Sequence, residues 1–251
     1  TGLKLANPEL DVWVVTGDGD GLSIGGNHLL HTLRRNVGLK ILLFNNEIYG
    51  LTKGQYSPTS RPGTVSPSSP AGSTDMPVSP GQFALGAGAK FFARAIDTDK
   101  AGLGDVLRKA HAFDGASFTE IFQNCIVYNE DVFAAFADRK DAANTQLHLS
   151  HGEPMLFGND NSKGIRFNPE TFALEVIDAK TSPGDVLVHD ETNAVLARLL
   201  VDLQLPVALG IIYRQTAEPY EHAFHAHHPT GMKRTRSVAE VIKGPNSWVV
   251  T

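Results

Sequence analysis

The stretch DVWVVTGDGDGLSIGGNHLLHTLRRNVGLKILLFNN (residues 11–46) decides the fold. Asp11–Thr16 is a short apolar, β-branched run after a turn at Pro8, and it reads as a buried strand. Gly17–Gly21 reads as a tight glycine-rich turn. Leu22, Gly25, Gly26, Leu29, Leu30 and Leu33 then recur at helical spacing. That helix stops at Asn36-Val37-Gly38, with Arg34 and Arg35 in its last turn, where cations suit the helix dipole. Leu39–Phe44 is a second buried strand and ends in Asn45-Asn46. Strand, helix and strand in this order form a βαβ unit, whose crossover implies parallel strands and an α/β fold.

Upstream, Thr1–Asn7 reads as the end of a helix running into the first strand. The chain does not open on methionine, and an N-terminal portion is expected to be absent. Downstream, residues 57–80 carry Pro58, Pro62, Pro67, Pro70, Pro77 and Pro80 among Ser, Thr and Gly. Such a long irregular stretch within a compact domain is either a functional loop, such as a lid over the site, or a flexible surface insertion. Phe83–Ala89 then reads as a small-residue helix, Phe91–Ile96 as a strand, Leu103–Phe113 as a helix and Ser117–Phe122 as a strand just before Cys125. The rhythm weakens beyond about residue 130 and shows only a helix at Thr192–Leu203 and a strand at Val207–Tyr213. The expected division is a domain over 1–150 and a C-terminal extension over 151–251. No internal repeat is visible.

The chain has 251 residues, 41% hydrophobic and 20% charged, which is ordinary for a globular protein. A net charge of -5 argues against a nucleic-acid partner, which leaves a basic footprint. The short cluster Lys233, Arg234 and Arg236 reads as a solvated stretch. No apolar run is long enough for a bilayer span, no signal peptide opens the chain, and the single cysteine excludes an internal disulfide framework. A cytoplasmic protein fits best.

Asp18 and Asn46 stand at the carboxyl ends of successive strands, 28 residues apart. Ligands of open α/β sheets bind at that edge. A carboxylate and an amide oxygen are hard ligands suited to magnesium, and the backbone amides of the Gly17–Gly21 turn can receive a diphosphate. A Gly-Asp-Gly turn or an Asn-Asn pair alone is common, but their combination at this spacing is far more specific.

The string from Gly17-Asp18-Gly19-Asp20 to His28, with Asn45-Asn46-Glu47-Ile48-Tyr49-Gly50-Leu51-Thr52-Lys53-Gly54-Gln55, resembles the β subunit of the 2-oxoacid:ferredoxin oxidoreductases, most of all that of the 2-oxoglutarate enzyme. The resemblance implies a thiamine-diphosphate-binding fold, with a mostly parallel twisted sheet and helices on both faces. It also implies a site for thiamine diphosphate and Mg2+. Asp18, Asn46 and the Ile48 backbone carbonyl would hold the metal, Gly17, Gly19 and Asp20 would belong to the cofactor site, and Gly50, Leu51 and Lys53 would line it. The implied activity is oxidative decarboxylation of a 2-oxo acid to an acyl-CoA, with electrons passed through an iron–sulfur cluster to ferredoxin. An α subunit would complete a heterotetramer and supply the glutamate that activates the cofactor, so this chain alone should be inactive. Cys125 would be one cluster ligand, while the three upstream family cysteines have no counterpart here. On composition alone Cys125 reads as a buried thiol.

Two other readings stay open: a non-oxidative thiamine-diphosphate decarboxylase or carboligase, and a non-catalytic binding module. Lys53 reads equally as a contact for substrate or diphosphate and as a plain loop lysine. Glu221, His222, His225, His227 and His228 match no closed zinc spacing and read as a solvated loop. His28 is near enough to the helix start to approach a diphosphate, whereas His31 reads as a surface or packing residue.

Overall fold

The computed structural model describes residues 1–228, 237–244 and 248. Lys233, Arg234 and Arg236 lie outside them. The main sheet has six strands in the order β1-β2-β4-β3-β9-β5. These are β1 (Val12–Gly17), β2 (Leu39–Asn45), β3 (Phe91–Ile96), β4 (Ser117–Phe122), β5 (Gln146–His148) and β9 (Val207–Arg214). Strands β1, β2, β4 and β3 run parallel, β9 pairs antiparallel with β3, and β5 runs parallel to β9. The mostly parallel α/β sheet is as expected. A second, antiparallel sheet of three strands, β6 (Leu156–Phe157), β7 (Lys163–Asn168) and β8 (Ala173–Asp178), left no readable signal in the sequence.

The central strands follow from composition. Every residue of β3 and β4 is buried, and Phe92 and Phe118 stack at 5.9 Å between them. Burial of one such side chain contributes about 1.5–3 kcal/mol. The helices covering the sheet begin at good caps. Ser79 accepts the Gln82 amide ahead of Pro80–Gly86, Asp99 accepts the Gly102 amide ahead of Lys100–Ala112, and Asn193 accepts the Val195 and Leu196 amides ahead of Ala194–Asp202. One core joins Leu29 and Leu33 from the first crossover with Leu43, Phe118, Leu147, Leu200 and Ile212, so both ends of the described chain share it.

Two expectations need correction. β1 is not buried: it is the edge of the sheet, with Trp13 39%, Val14 37% and Val15 67% exposed. Its apolar run is real, but periodicity cannot say which strand a sheet places outermost. The first crossover is also not one helix. A short helix, Asp18–Leu22, ends at Ser23, and the main helix, Gly26–Arg35, starts after it and closes at Asn36 with φ 54. A Cβ at Gly25 would lie 2.7 Å from the Asp20 carbonyl oxygen, so the break requires glycine there.

The segment 57–80 forms no helix or strand before Pro80, but it is a closed loop. Its ends meet where the Val78 amide donates to the Pro58 carbonyl at 2.8 Å, and the Gly63 amide donates to the Ser73 carbonyl at 2.7 Å. Among the described residues no helix is long and apolar enough to cross a membrane.

Candidate cofactor site

Register builds the site. Gly17 is level with Phe44, and Asn45 with Phe122, so Asp18, Asn45, Asn46 and the chain after β4 emerge together at one edge. Asp18 is 1% exposed. Its Oδ2 accepts from the Ser57 hydroxyl at 2.5 Å and the Thr59 hydroxyl at 2.6 Å, and its Oδ1 accepts the Asn46 amide at 3.4 Å. Burial pushes the Asp18 carboxyl above the usual range, against the opposing pull of the two hydroxyls and of nearby amides. No Lys or Arg forms an ion pair with Asp18 among the described residues.

The turn after β2 is tied from both sides. Asn45 Oδ1 accepts the Glu47 amide at 3.3 Å, and Asn46 Oδ1 accepts the Ile48 amide at 3.2 Å. Glu47 sits between them in the left-handed region, φ 54, and its carboxyl is pushed up by burial while Arg61, 2.9 Å away, pulls it down. The Ser60 hydroxyl donates to the Glu47 carbonyl, and Asn129 Nδ2 donates to the Asn46 carbonyl at 2.9 Å. Tyr49 closes the site from below, its hydroxyl donating to the Gly19 carbonyl at 2.8 Å.

A divalent cation suits this donor set. Two donors occupy Asp18 Oδ2, whereas Oδ1 holds one long bond and keeps a lone pair, as does Asn46 Oδ1 after accepting the Ile48 amide. A buried carboxylate with no basic partner calls for a countercharge. No three or more His, Cys, Asp or Glu side chains gather in a metal-holding group among the described residues. The donors here are instead carboxylate, amide and carbonyl oxygens, the set magnesium takes.

The remaining expected residues fall around this centre. Gly17 and Asp20 are exposed at the first helical turn, and Gly19 is buried against Tyr49. Gly50 is half-buried, Leu51 is 99% exposed, and Lys53 is exposed with φ 78. Cys125 is a free thiol beside this loop, since a Cβ at Gly50 would lie 3.6 Å from its Sγ. The histidines do not gather into a metal site among the described residues: His225 Nε2 bonds the Leu5 carbonyl at 2.9 Å, and His28 is exposed. Sequence reasoning missed Ser57, Thr59 and Asn129. The only signal available was hydroxyl-bearing residues at the start of the proline-rich loop.

A family profile described as "Thiamine pyrophosphate enzyme, C-terminal TPP binding domain" matches residues 1–121. The chain is 43% identical to the 2-oxoglutarate oxidoreductase subunit KorB of Mycobacterium tuberculosis, over 100% of this chain and 69% of that one. It is 43% identical to the 2-oxoglutarate synthase subunit KorB of Methanothermobacter marburgensis, over 68% of this chain and 56% of that one. A solved 2-oxoglutarate:ferredoxin oxidoreductase from Magnetococcus marinus, with 2-oxoglutarate, coenzyme A and succinyl-CoA bound, superposes with a TM-score of 0.71 at 26% identity, covering 96% of this chain and 70% of that one. With its match to a thiamine-diphosphate-binding domain and its 43% identity to a KorB subunit along the whole of this chain, the chain belongs to the KorB family of 2-oxoglutarate oxidoreductase subunits.

Proposed function

We propose that this chain is the cofactor-binding half of a 2-oxoacid:ferredoxin oxidoreductase that acts on 2-oxoglutarate. The observation that carries the reading is the buried Asp18 carboxylate, with no Lys or Arg partner among the described residues, beside Asn46 at the ends of parallel strands in a chain of this family. Asp18 Oδ1, Asn46 Oδ1 and the Ile48 carbonyl would hold Mg2+, and the amides at Gly17–Asp20 would face the diphosphate. Thiamine diphosphate, when bound, would supply a nucleophilic carbon for the 2-oxo group and a sink for the electrons released on decarboxylation. The chain's own contribution is placement: Ser57 and Thr59 orient Asp18, Asn45 and Asn129 brace the turn, and the loop at Gly50–Lys53 flanks the opening.

In this reading the domain over 1–150 holds the cofactor, and the C-terminal extension over 151–251 packs on that domain or on the partner α subunit. The α subunit contributes the activating glutamate, coenzyme A takes the acyl group, ferredoxin takes the electrons, and the complex works in the cytoplasm. The assembled enzyme should reduce ferredoxin only with 2-oxoglutarate and coenzyme A present. Lys53 provides a sharper test. It is an exposed ammonium seven positions after Asn46 and fits the distal carboxylate of a 2-oxo diacid. Loss of one charged hydrogen bond is worth about 1.5–3 kcal/mol, so Lys53→Met should raise the KM for 2-oxoglutarate roughly ten- to hundredfold and that for 2-oxobutyrate far less. Equal losses on both substrates would move Lys53 to the diphosphate, and no change would leave it a loop lysine.

The residues present do not suffice for a four-iron cluster, which takes four thiolates where this sequence has one cysteine. A second reading is a non-oxidative thiamine-diphosphate enzyme, which would need neither Cys125 as a cluster ligand nor ferredoxin. The two separate on iron. In a chain that also carries the upstream family cysteines, Cys125→Ser should lower iron content and stop ferredoxin reduction while sparing thiamine-diphosphate binding. Normal iron in that variant returns Cys125 to a packing role.

A further inference from the structure

Arg94 and Glu120 are direct partners across β3 and β4, and they are 6% and 1% exposed. Arg94 Nε donates to Glu120 Oε2 at 2.7 Å and its Nη1 donates to the Val201 carbonyl at 3.1 Å. The guanidinium also lies 5.7 and 5.6 Å from the ring centroids of Phe92 and Phe122. Such a pair is a weak source of stability, because the cost of desolvating two charges offsets most of their attraction. A role for it is visible on the other side of Glu120.

Asn45 is in register with Phe122, so Glu120 is its diagonal neighbour on the same face of the sheet. Asn45 Nδ2 donates to Glu120 Oε1 at 2.8 Å. A carboxylate paired with a guanidinium only accepts, so the Asn45 amide cannot turn over, and its Oδ1 must face away. That oxygen accepts the Glu47 amide at 3.3 Å, which closes the turn carrying Asn46 and Ile48. It also meets the Thr59 hydroxyl at 3.2 Å, the same group that donates to Asp18 Oδ2 at 2.6 Å. The single Thr59 proton goes to the nearer acceptor, Asp18, so the hydrogen-bonded path from Arg94 runs through Glu120 and Asn45 to the 45–48 turn, whose Asn46 amide donates to Asp18 Oδ1 at 3.4 Å.

We propose that the buried Arg94–Glu120 pair positions the cofactor site: Glu120 fixes which way the Asn45 amide faces, and Asn45 sets the 45–48 turn, and with it the Asn46 amide, against Asp18. This rests on the thiamine-diphosphate reading above. Arg94 and Glu120 touch no cofactor; they are positioning residues.

Glu120→Gln keeps shape and volume and still accepts from Arg94, but it presents an N–H to Asn45, so that amide must turn over. Calorimetry on the assembled enzyme, with Mg2+ present, should then show thiamine-diphosphate affinity falling about tenfold or more, the range for groups behind a metal ligand. Adding Asn45→Asp restores the polarity, because a carboxylate at position 45 accepts from the new amide and from the Glu47 N–H together. The double variant should recover to within about threefold of wild type, a rescue that lost packing would not give. Equal affinity for wild type and Glu120→Gln overturns the proposal, and so does a loss that Asn45→Asp fails to repair. If Glu120→Gln does not fold, Asn45→Ala, which keeps the ion pair, must show the same loss, and unchanged affinity there overturns it too. Absence of Mg2+-dependent binding in the wild type would reject the cofactor reading itself.

Discussion

Asp18→Ala should lower Mg2+-dependent thiamine-diphosphate affinity by at least about a hundredfold. Groups one step behind a metal ligand cost roughly 10–100-fold when removed, and on the proposed reading Asp18 would be the carboxylate facing the ion itself. The same substitution takes from the Ser57 and Thr59 hydroxyls their shared acceptor, now 2.5 and 2.6 Å away. Asp18→Asn separates these effects. It keeps an oxygen for both hydroxyls, gives up the long bond from the Asn46 amide and removes a charge whose burial disfavours ionisation, so the cofactor-free protein should stay close to wild type in stability. Magnesium should add no stability to it. Thermal unfolding with and without Mg2+ and thiamine diphosphate, beside calorimetry, reads both quantities. Unchanged cofactor affinity in Asp18→Ala would sink the metal assignment.

Gly19→Ala should be the next most damaging change for its size. A Cβ there would lie 2.6 Å from Tyr49 Cδ1, and the ring is anchored through its hydroxyl to the Gly19 carbonyl at 2.8 Å. If the ring swings away, it breaks that bond and pulls on the Tyr49–Gln55 bridge, moving Ile48 and Gly50. If the helix Asp18–Leu22 yields instead, Asp18 moves. Overpacking of this kind costs about 1–3 kcal/mol, and a displacement of ~1 Å at a site can cost on the order of a hundredfold in rate. Removing the ring with Tyr49→Ala should restore part of the cofactor affinity in the Gly19→Ala background. Gly26→Ala is the control: a Cβ there meets nothing within 4 Å, so affinity and unfolding temperature should stay near wild type. Equal behaviour of the two alanine variants would refute the steric account.

The parts of the site that were legible in the sequence are those where one side-chain period or one strand end fixes position. Apolar runs mark β2, β3 and β4, and Asp18 and Asn46 can be paired because successive parallel strands bring their carboxyl ends to the same edge. Ser57 and Thr59 were not legible. They reach Asp18 by a return of the chain with no repeating pattern, and the bonds from Val78 to Pro58 and from Gly63 to Ser73 are what show this loop folding back on itself. Asn129 reaches the Asn46 carbonyl in the same aperiodic way. Glu120 was hidden for a different reason: within a strand buried on both faces, a lone charged residue announces a partner but not which one. β6 spans only Leu156–Phe157, too short for alternation to register at all.

The antiparallel neighbour of β3 has a consequence for biosynthesis. The cofactor-binding strands lie early in the chain, yet β3 gains its second neighbour only when β9, Val207–Arg214, has been made. Contacts this distant in sequence raise the entropic cost of closure and slow folding. While translation proceeds, the nascent sheet therefore presents bare backbone along β3, on a strand whose residues are all destined for the interior. An unpaired apolar edge of that kind invites pairing with another chain. The half that looks self-sufficient by motif thus depends, for safe passage from the ribosome, on residues far beyond it.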